Sequence, residues 1–464
     1  MSVRKGQILD LKIEKLCFGG RGLARVNGFT VFVERAVPGD EVRVRVSRKK
    51  KSYAEARVVE VITPSPFRVA PPCPYSGFCG GCPWQFLDYE RQLLAKRETV
   101  VEALEHIGQL KKVRVNPVIP SEKKFQYRNK MEFSFSDRRW LLPEELSRSD
   151  ISNDFALGLH VPGTFHKVLD IDACLLQPSL GNKILADVRR HVTESAIPPY
   201  GLRSHQGFWR FLMLRHSASD DTWMVNVITS EGHVPWVKPL ADLLYEKHAH
   251  ITSVVNNVNT RRASIAIGER EILLAGEPFI RDRIGRFEFE ISANSFFQTN
   301  TAGAECLYGV VKRYAELTGQ EMVIDLYSGT GTIPIFLSEG AKKIVGIEIS
   351  ESAIRDAQKN CQANQIHHCQ FIRGDIKTGL EQIREKADVM IADPPRAGMH
   401  VDVVKAIRTL APGRIVYVSC NPATLARDLA MLTEDYRLVE VQPVDLFPHT
   451  YHVECVARLD LIRA

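Results

Sequence analysis

Three strand ends in the last third of the chain carry side chains that could do chemistry together. The run D-L-Y-S-G-T-G-T (Asp325–Thr332) is followed, 19 residues after Gly329, by Glu348 at the end of an apolar stretch. Gly329 and Gly331 let backbone approach a ligand, and the Glu348 carboxylate can accept hydrogen bonds from both hydroxyls of a ribose. A nicotinamide dinucleotide turn would carry Gly or Ala where this chain has Pro334, which disfavours a dehydrogenase. S-adenosylmethionine has a ribose but no pyrophosphate, so it needs the turn and the acid without the full phosphate cradle; a purely structural turn is the plainer alternative. Further on, A-D-P-P-R-A-G puts Asp393 and a proline-stiffened turn at a strand end, and V-S-C-N-P puts Cys420 at the end of the next strand. A lone cysteine is usually a small buried hydrophobe, but one beside a cofactor pocket is well placed as a nucleophile. The strand Y-H-V-E-C-V-A-R-L (451–459) offers Glu454, with His452 on the same face by alternation; a strand-edge salt bridge is the bland reading of that glutamate.

Methyl donor, thiol and carboxylate form a minimum set for one reaction. Carbon 5 of a pyrimidine is a poor nucleophile. A thiolate adding to carbon 6 turns the ring into an enolate that can attack a methyl sulfonium, and a base must then remove the carbon 5 proton so that the thiol can leave.

A second constellation lies near the N-terminus. C-P-Y-S-G-F-C-G-G-C supplies Cys73, Cys79 and Cys82 within ten residues, and Gly77, Gly80 and Gly81 allow tight wrapping. A fourth ligand must come from elsewhere, and spacing alone does not separate zinc from iron and sulfur. Ten cysteines in a chain of this kind do not suggest a disulfide framework, because the start of the chain has charges where a signal peptide has an apolar core, which points to the reducing cytoplasm.

These side chains need elements to hold them. From about residue 290 the order is regular α/β, with VIDLY, KIVGIEI, CQFIRG, DVMIADPP and RIVYVSC alternating with helical patterns. That predicts a doubly wound, mostly parallel Rossmann-like sheet with ligands at the carboxyl ends of its strands. Residues 5–63 read as five short strands with glycine turns, an OB-like barrel; in EVRVRV the valines share one face and Arg43 and Arg45 the other. T-P-S-P (63–66) closes this unit. Between them the chain is mixed α+β, with the cysteine loop, the helical pattern FLDYERQLLAKRETVVEALEHIG ending at Gly108, and strand-like runs such as MEFSFS and WMVNVIT.

With 464 residues, 44% hydrophobic and 25% charged, the chain is an ordinary globular one of about three domains, and no apolar stretch is long enough to span a bilayer. Its net charge of +6 is uneven. Residues 1–70 hold 15 Lys or Arg against 7 Asp or Glu, a net of +8, so a polyanion contact is expected there, with a solvated basic face as the alternative.

In this order DLYSGTGT, GIE, DPPR, VSCNP and HVECV, with S-F-F-Q-T-N (295–300), resemble the RNA uracil-C5-methyltransferase family, and the N-terminal unit is similar to a TRAM domain. The resemblance implies Cys420 as nucleophile, Glu454 as base, and S-adenosylmethionine contacts at Gln298, Tyr327, Thr332, Glu348, Asp375 and Asp393. Cys174 is similar to the family's distant fourth cysteine, which implies a 4Fe-4S cluster on Cys73, Cys79, Cys82 and Cys174 and favours the 23S rRNA branch over tRNA T-loop enzymes. The expected layout is a TRAM barrel at 1–66, a central iron-sulfur domain at 67–289 and a methyltransferase domain at 290–464, acting on a flipped uridine in RNA, with no membrane and no obligatory protein partner. An amino-group methyltransferase, which would not need Cys420, and a non-catalytic RNA-binding protein are the rival readings.

Overall fold

A computed structural model describes residues 3–148, 150–263 and 265–462. At the N-terminus six strands form one sheet in the order Ile8–Lys12, Glu41–Lys49, Tyr53–Thr63, Phe29–Glu34, Gly22–Val26, Lys15–Leu16. The run expected as one first strand is two, because at its middle the Ile13 N–H donates to Asp40 O (2.9 Å) and the Glu14 N–H to Leu23 O (2.8 Å). Val42, Val44 and Val46 are buried with Val31, Val33 and Ala56, as the period-2 pattern demands. The opposite face is not simply basic. Arg43 bridges Asp10 (2.9 Å) and Glu60 (2.8 Å), and Arg57 pairs with Glu34 at 3.0 Å. The positive excess is left to Arg45 and the exposed tip Arg48 to Lys51. The T-P-S-P segment is packed rather than loose: Asp40, fully buried, accepts from the Ser65 N–H (2.9 Å) and from Arg68 (2.6 Å).

The middle of the chain forms a seven-stranded sheet in the order Arg270–Gly276, Ile251–Val258, Trp223–Thr229, Trp209–His216, Lys130–Ser136, Ala156–His160, Val168–Asp170. Its only parallel pair joins Trp223–Thr229 to Ile251–Val258 among the described residues. Helices Ser179–Glu194 and Val234–Lys247 bury Ile184, Leu185, Val188, Leu240 and Leu244 against it.

The C-terminal sheet has seven strands: β1 (Met322–Leu326), β2 (Lys343–Glu348), β3 (Cys369–Arg373), β4 (Val389–Ala392), β5 (Arg414–Ser419), β6 (Tyr436–Val444) and β7 (Glu454–Leu461). Their spatial order is β3-β2-β1-β4-β5-β7-β6; the first five are parallel, and β7 runs antiparallel between β5 and β6. Strand order reverses between β1 and β4, which places the ligand crevice at their carboxyl ends. Both faces are covered, so β1, β4 and β5 are nearly uniform apolar runs.

One covering element comes from far upstream. Helix Tyr89–His106, capped by the Asp88 carboxylate, buries Val100, Ala103 and Leu104 in the same core as Ile324, Tyr417 and Leu429. Val115 and Ile119 then bridge in parallel to Val441 and Val444 of β6. On the other face the hairpin Phe279–Ile284/Phe287–Ser292 packs Phe287 and Phe289 with Leu307 and Ile335. No helix of the described residues is long and apolar enough to cross a membrane.

Candidate active site

β1 delivers the chain into a turn with three left-handed residues, Tyr327 (φ 64°), Gly329 (φ 52°) and Gly331 (φ 77°). Glycine adopts this at no steric cost; a tyrosine does not, so the turn holds strain at Tyr327. The fold-back brings the Gly329 N–H to Glu348 Oε2 (3.0 Å), while the Ser350 N–H donates to Oε1 (2.7 Å). Glu348 is thereby fixed by backbone donors, and each oxygen keeps a lone pair for a ligand. Tyr327, Glu348, Asp375, Lys377, His400 and Asp402 line one cavity of about 340 Å³. Asp375 caps helix Ile376–Gln382, accepting from the Thr378 hydroxyl (2.7 Å) and N–H (3.1 Å), bonds that hold its carboxyl below the usual range. Gln298 and Thr332 lie outside this cavity: the Gln298 carbonyl accepts from Asn129 (2.8 Å), and the Thr332 hydroxyl is 3.0 Å from the Tyr308 hydroxyl.

Acidic groups crowd the adjoining strand ends. Asp325 is 1% exposed, and neither of its carboxylate oxygens has a hydrogen-bond partner. Burial, then Asp393 and Glu348, push its carboxyl well above the usual range. An orphaned buried carboxyl is costly and signals a missing polar or cationic partner. Burial raises Asp393, just after β4, to about 7. Glu454, 6% exposed at the start of β7, is raised to about 8 by burial and by Asp393, with Arg396 opposing. Cys420 follows β5; burial and Glu454 push its thiol up to about 11, again against Arg396. Cys420, Glu454, Asp393 and Asp325 thus share one electrostatic neighbourhood, and Tyr308 is buried within the field of the three acids.

His452 does not share the strand face of Glu454. β7 begins only at Glu454, and the His452 ring packs between Tyr451 (centroids 4.4 Å apart) and Phe447 (6.3 Å). Burial lowers it to about 4, which keeps it neutral. Two participants escaped the sequence reading. Asp325 opens the glycine turn, which was its only local signal, and Arg396 ends the D-P-P-R run.

The N-terminal cysteines meet the distant one. Cys73, Cys79, Cys82 and Cys174 line a cavity of about 290 Å³ together with Arg128 and Lys130. The Gly81 N–H donates to Cys79 Sγ (3.3 Å), and the Cys174 N–H donates to Asn182 Oδ1 (2.9 Å). Burial and the neighbouring thiols push Cys79 up to about 11 and Cys82 to about 12. Among the described residues no three or more His, Cys, Asp or Glu side chains are placed as ligands of a single metal ion, and the four thiols line the cavity.

Residues 2–59 match the TRAM domain model, and residues 273–461 match the model of the tRNA (uracil-5-)-methyltransferase family. An uncharacterized RNA methyltransferase of Chlorobaculum tepidum is 40% identical, across 98% of this chain and 96% of its own. One from Porphyromonas gingivalis is 41% identical, across 97% and 99%. Among solved structures, the tRNA (uracil-54, C5)-methyltransferase of Pyrococcus abyssi in complex with S-adenosyl-L-homocysteine is 31% identical, with a TM-score of 0.76 over 97% of this chain and 100% of that one. A seven-stranded sheet with a glycine turn and acids at its switch point, a TRAM domain and full-length likeness to RNA methyltransferases agree, and the chain belongs to the RNA (uracil-5-)-methyltransferase family.

Proposed function

We propose that this chain methylates carbon 5 of a uridine in structured RNA, with Cys420 as nucleophile and Glu454 as base. The observation that carries this reading is the electrostatic proximity of a strand-end thiol, a buried glutamate, Asp393 and the unpartnered Asp325. An amino-group methyltransferase has no need of that thiol, and a non-catalytic RNA-binding protein needs neither group.

Glu348 would hold the ribose hydroxyls of the cofactor, Tyr327 and Asp375 the walls around its adenosine, and Gln298, Thr332 and Asp393 the side nearer the reacting carbon. S-adenosylmethionine, when bound, supplies a methyl group on a positively charged sulfonium. The orphaned Asp325 fits a cationic ligand, since a positive charge here relieves the repulsion among Asp325, Asp393 and Glu348. Arg396 favours the thiolate of Cys420, which adds to carbon 6 of a uridine flipped from its stack. Carbon 5 of the resulting enolate would take the methyl group as the methyl–sulfur bond breaks and a neutral thioether leaves. Glu454, with a proton affinity near the working pH, removes the carbon 5 proton, and the bond from Cys420 to carbon 6 breaks as the double bond returns.

Cys73, Cys79, Cys82 and Cys174 would hold a 4Fe-4S cluster. Four desolvated thiols around a cavity of about 290 Å³ fit a multi-iron group better than one zinc ion, whose ligands must converge to about 2.3 Å. Bound there, it would tie the glycine-rich loop to the segment before helix Ser179–Glu194.

The substrate proposed first is 23S rRNA, on the pairing of a TRAM domain with the four-cysteine cavity. The likeness to the Pyrococcus abyssi tRNA enzyme favours a T-loop uridine as the second reading. Mapping 5-methyluridine in 23S rRNA and tRNA from cells lacking the protein separates them: loss from rRNA alone supports the first, loss from tRNA alone the second, and loss from neither rejects the function.

A further inference from the structure

On the central sheet, separate from the cavities lined by the thiols and by Glu348, a cavity of about 470 Å³ is lined by Asp137, Arg138, Arg139, Trp140, His166, Lys167 and Arg203, among others. Only Arg139 of its cations has a carboxylate partner, Glu145; Arg138, Lys167 and Arg203 form no ion pair among the described residues. Arg203 donates instead to His166 Nε2 at 2.7 Å. That bond requires a neutral imidazole carrying its proton on Nδ1, and burial, Arg203 and Lys167 all hold His166 below its ordinary value. The Nδ1 atom is buried without a partner. A guanidinium held by a neutral acceptor keeps its full charge, so the pocket gathers several cations against the single lining carboxylate Asp137 and offers one unused N–H donor.

An exposed aromatic stands at its rim. Phe165 is 66% exposed, and its ring meets His166 edge-on with centroids 5.0 Å apart. The pocket is also continuous with the N-terminal sheet. Trp140 packs on Phe78 of the cysteine loop (centroids 5.9 Å), the Arg35 guanidinium lies over the Phe78 ring at 5.1 Å from its centroid, and the Gly80 N–H donates to His160 O at 3.1 Å. Unpaired cations with planar groups, beside an exposed ring, suit a backbone phosphate with a neighbouring unstacked base.

We infer that Arg138, Lys167 and Arg203 form a phosphate-binding subsite for single-stranded RNA, with Phe165 as its stacking platform, which extends the RNA surface from the N-terminal sheet across the cysteine loop. The inference rests on the proposed RNA substrate but not on the uridine chemistry. An RNA strand held here is anchored remote from the reacting base, so the subsite governs affinity and register rather than the methyl-transfer step.

The test is salt-dependent binding of a single-stranded RNA oligonucleotide by the full chain, purified anaerobically, as wild type, as Arg138→Gln/Lys167→Gln/Arg203→Gln and as Phe165→Ala. The triple variant is expected to lower the slope of log affinity against log salt by about 2 and Phe165→Ala to weaken binding about tenfold, with S-adenosylmethionine binding and melting temperature retained as proof of folding. In turnover the loss falls on KM for RNA. Arg203→Lys alone, which keeps the charge, leaves the slope near the wild-type value. An unchanged slope in a folded triple variant overturns the subsite, and so does poly-glutamate competing as well as RNA, which would make the pocket a site for acidic protein. If the patch variants lose RNA binding while wild type leaves uridine unmethylated, the proposed reaction fails and the subsite stands.

Discussion

Cys420 and Glu454 sit one step beyond the last paired residues of the β5–β7 ladder, Ser419 and Cys455, so the antiparallel register sets them opposite each other at its end. Directly opposed residues of an antiparallel pair point to the same side of the sheet. Burial and the Glu454 carboxyl raise the proton affinity of the thiol, while burial and Asp393 raise that of Glu454, shifts that a salt-bridged strand edge would not produce.

That opposition separates the two roles by experiment. Cys420→Ala should bind cofactor and RNA and lose methylation by several orders of magnitude, and 5-fluorouridine RNA should trap a covalent complex with the wild type. Glu454→Gln should instead accumulate a methylated covalent adduct, since addition precedes proton removal. Gel shift under denaturing conditions and mass spectrometry read both; turnover by Cys420→Ala would remove the nucleophile from the mechanism.

The acid cluster makes stability depend on pH in an unusual direction. Asp393 at about 7, Glu454 at about 8 and the likewise raised Asp325 hold protons in the folded chain that the unfolded chain releases near pH 4. Their stabilising contribution is therefore full below about pH 4 and is lost as pH rises through 7 to 8. Between pH 5 and 8 the cofactor-free protein should melt at progressively lower temperature. Asp393→Asn and Glu454→Gln should each flatten that fall, and S-adenosyl-L-methionine should flatten it more than the neutral-sulfur homocysteine product. Calorimetry across this range checks all three; a steady rise in melting temperature with pH would contradict the shifts.

Strand ends were readable because their information is local. β1, β2 and β5 are apolar runs broken by Gly, Asp or Cys, and the period of the pattern needs no distant partner. What could not be read depends on contacts far along the chain. Helix Tyr89–His106 is amphipathic in isolation, but its union with the core of β1 and β5 rests on residues more than 200 positions away. The orphaned state of Asp325 likewise exists only once β4 and the glycine turn have enclosed it. His452 was misplaced for a related reason: alternation from Glu454 assumes a strand, and the Thr450 hydroxyl, which accepts from the His452 N–H (3.1 Å), ends that geometry first.

Cluster occupancy has a direct readout. Anaerobically purified protein should be brown with about four irons and four acid-labile sulfides per chain. Cys174→Ser should lose iron and RNA affinity before it loses cofactor binding, because Cys174 lies outside the strands that hold the cofactor pocket. One tightly bound zinc without sulfide would refute the assignment.

The exposed tip of the N-terminal sheet gives a charge test that leaves the packed face intact. Arg48, Lys49, Lys50 and Lys51 are exposed, whereas Arg43 and Arg57 are already paired with carboxylates. Replacing the four tip residues by Gln should reduce the salt dependence of RNA binding, and Arg43→Gln should change it little. Equal effects in the two variants would mean that the ion-paired face opens to RNA.

Glu454 is held by a loop whose own anchor is a buried ion pair. Lys96, on helix Tyr89–His106, donates to Asp445 Oδ1 (2.5 Å) and to Phe447 O (3.0 Å), and both charged side chains are fully buried. Tyr89 donates its hydroxyl proton to the other Asp445 oxygen (3.0 Å), and Gln92 accepts from the His449 N–H (2.8 Å), so one helix pins residues 445–449 just ahead of β7. Removing one partner of a buried pair strands the other charge without solvent, at a cost of about 3–5 kcal/mol. Lys96→Met should therefore lower the melting temperature by several degrees and, through the displaced loop, slow the step that needs Glu454 more than the addition of Cys420. Lys96→Met combined with Asp445→Asn removes both charges and should recover much of the stability, because the desolvation cost disappears with them, while the loop contacts to Phe447 stay broken. Covalent adduct formation on 5-fluorouridine RNA and steady-state methylation, measured on the same preparations, separate the two effects: adduct formation preserved with methylation impaired in the stable double variant identifies Lys96 as a positioning residue for Glu454, whereas full recovery of both would reduce the pair to a structural brace.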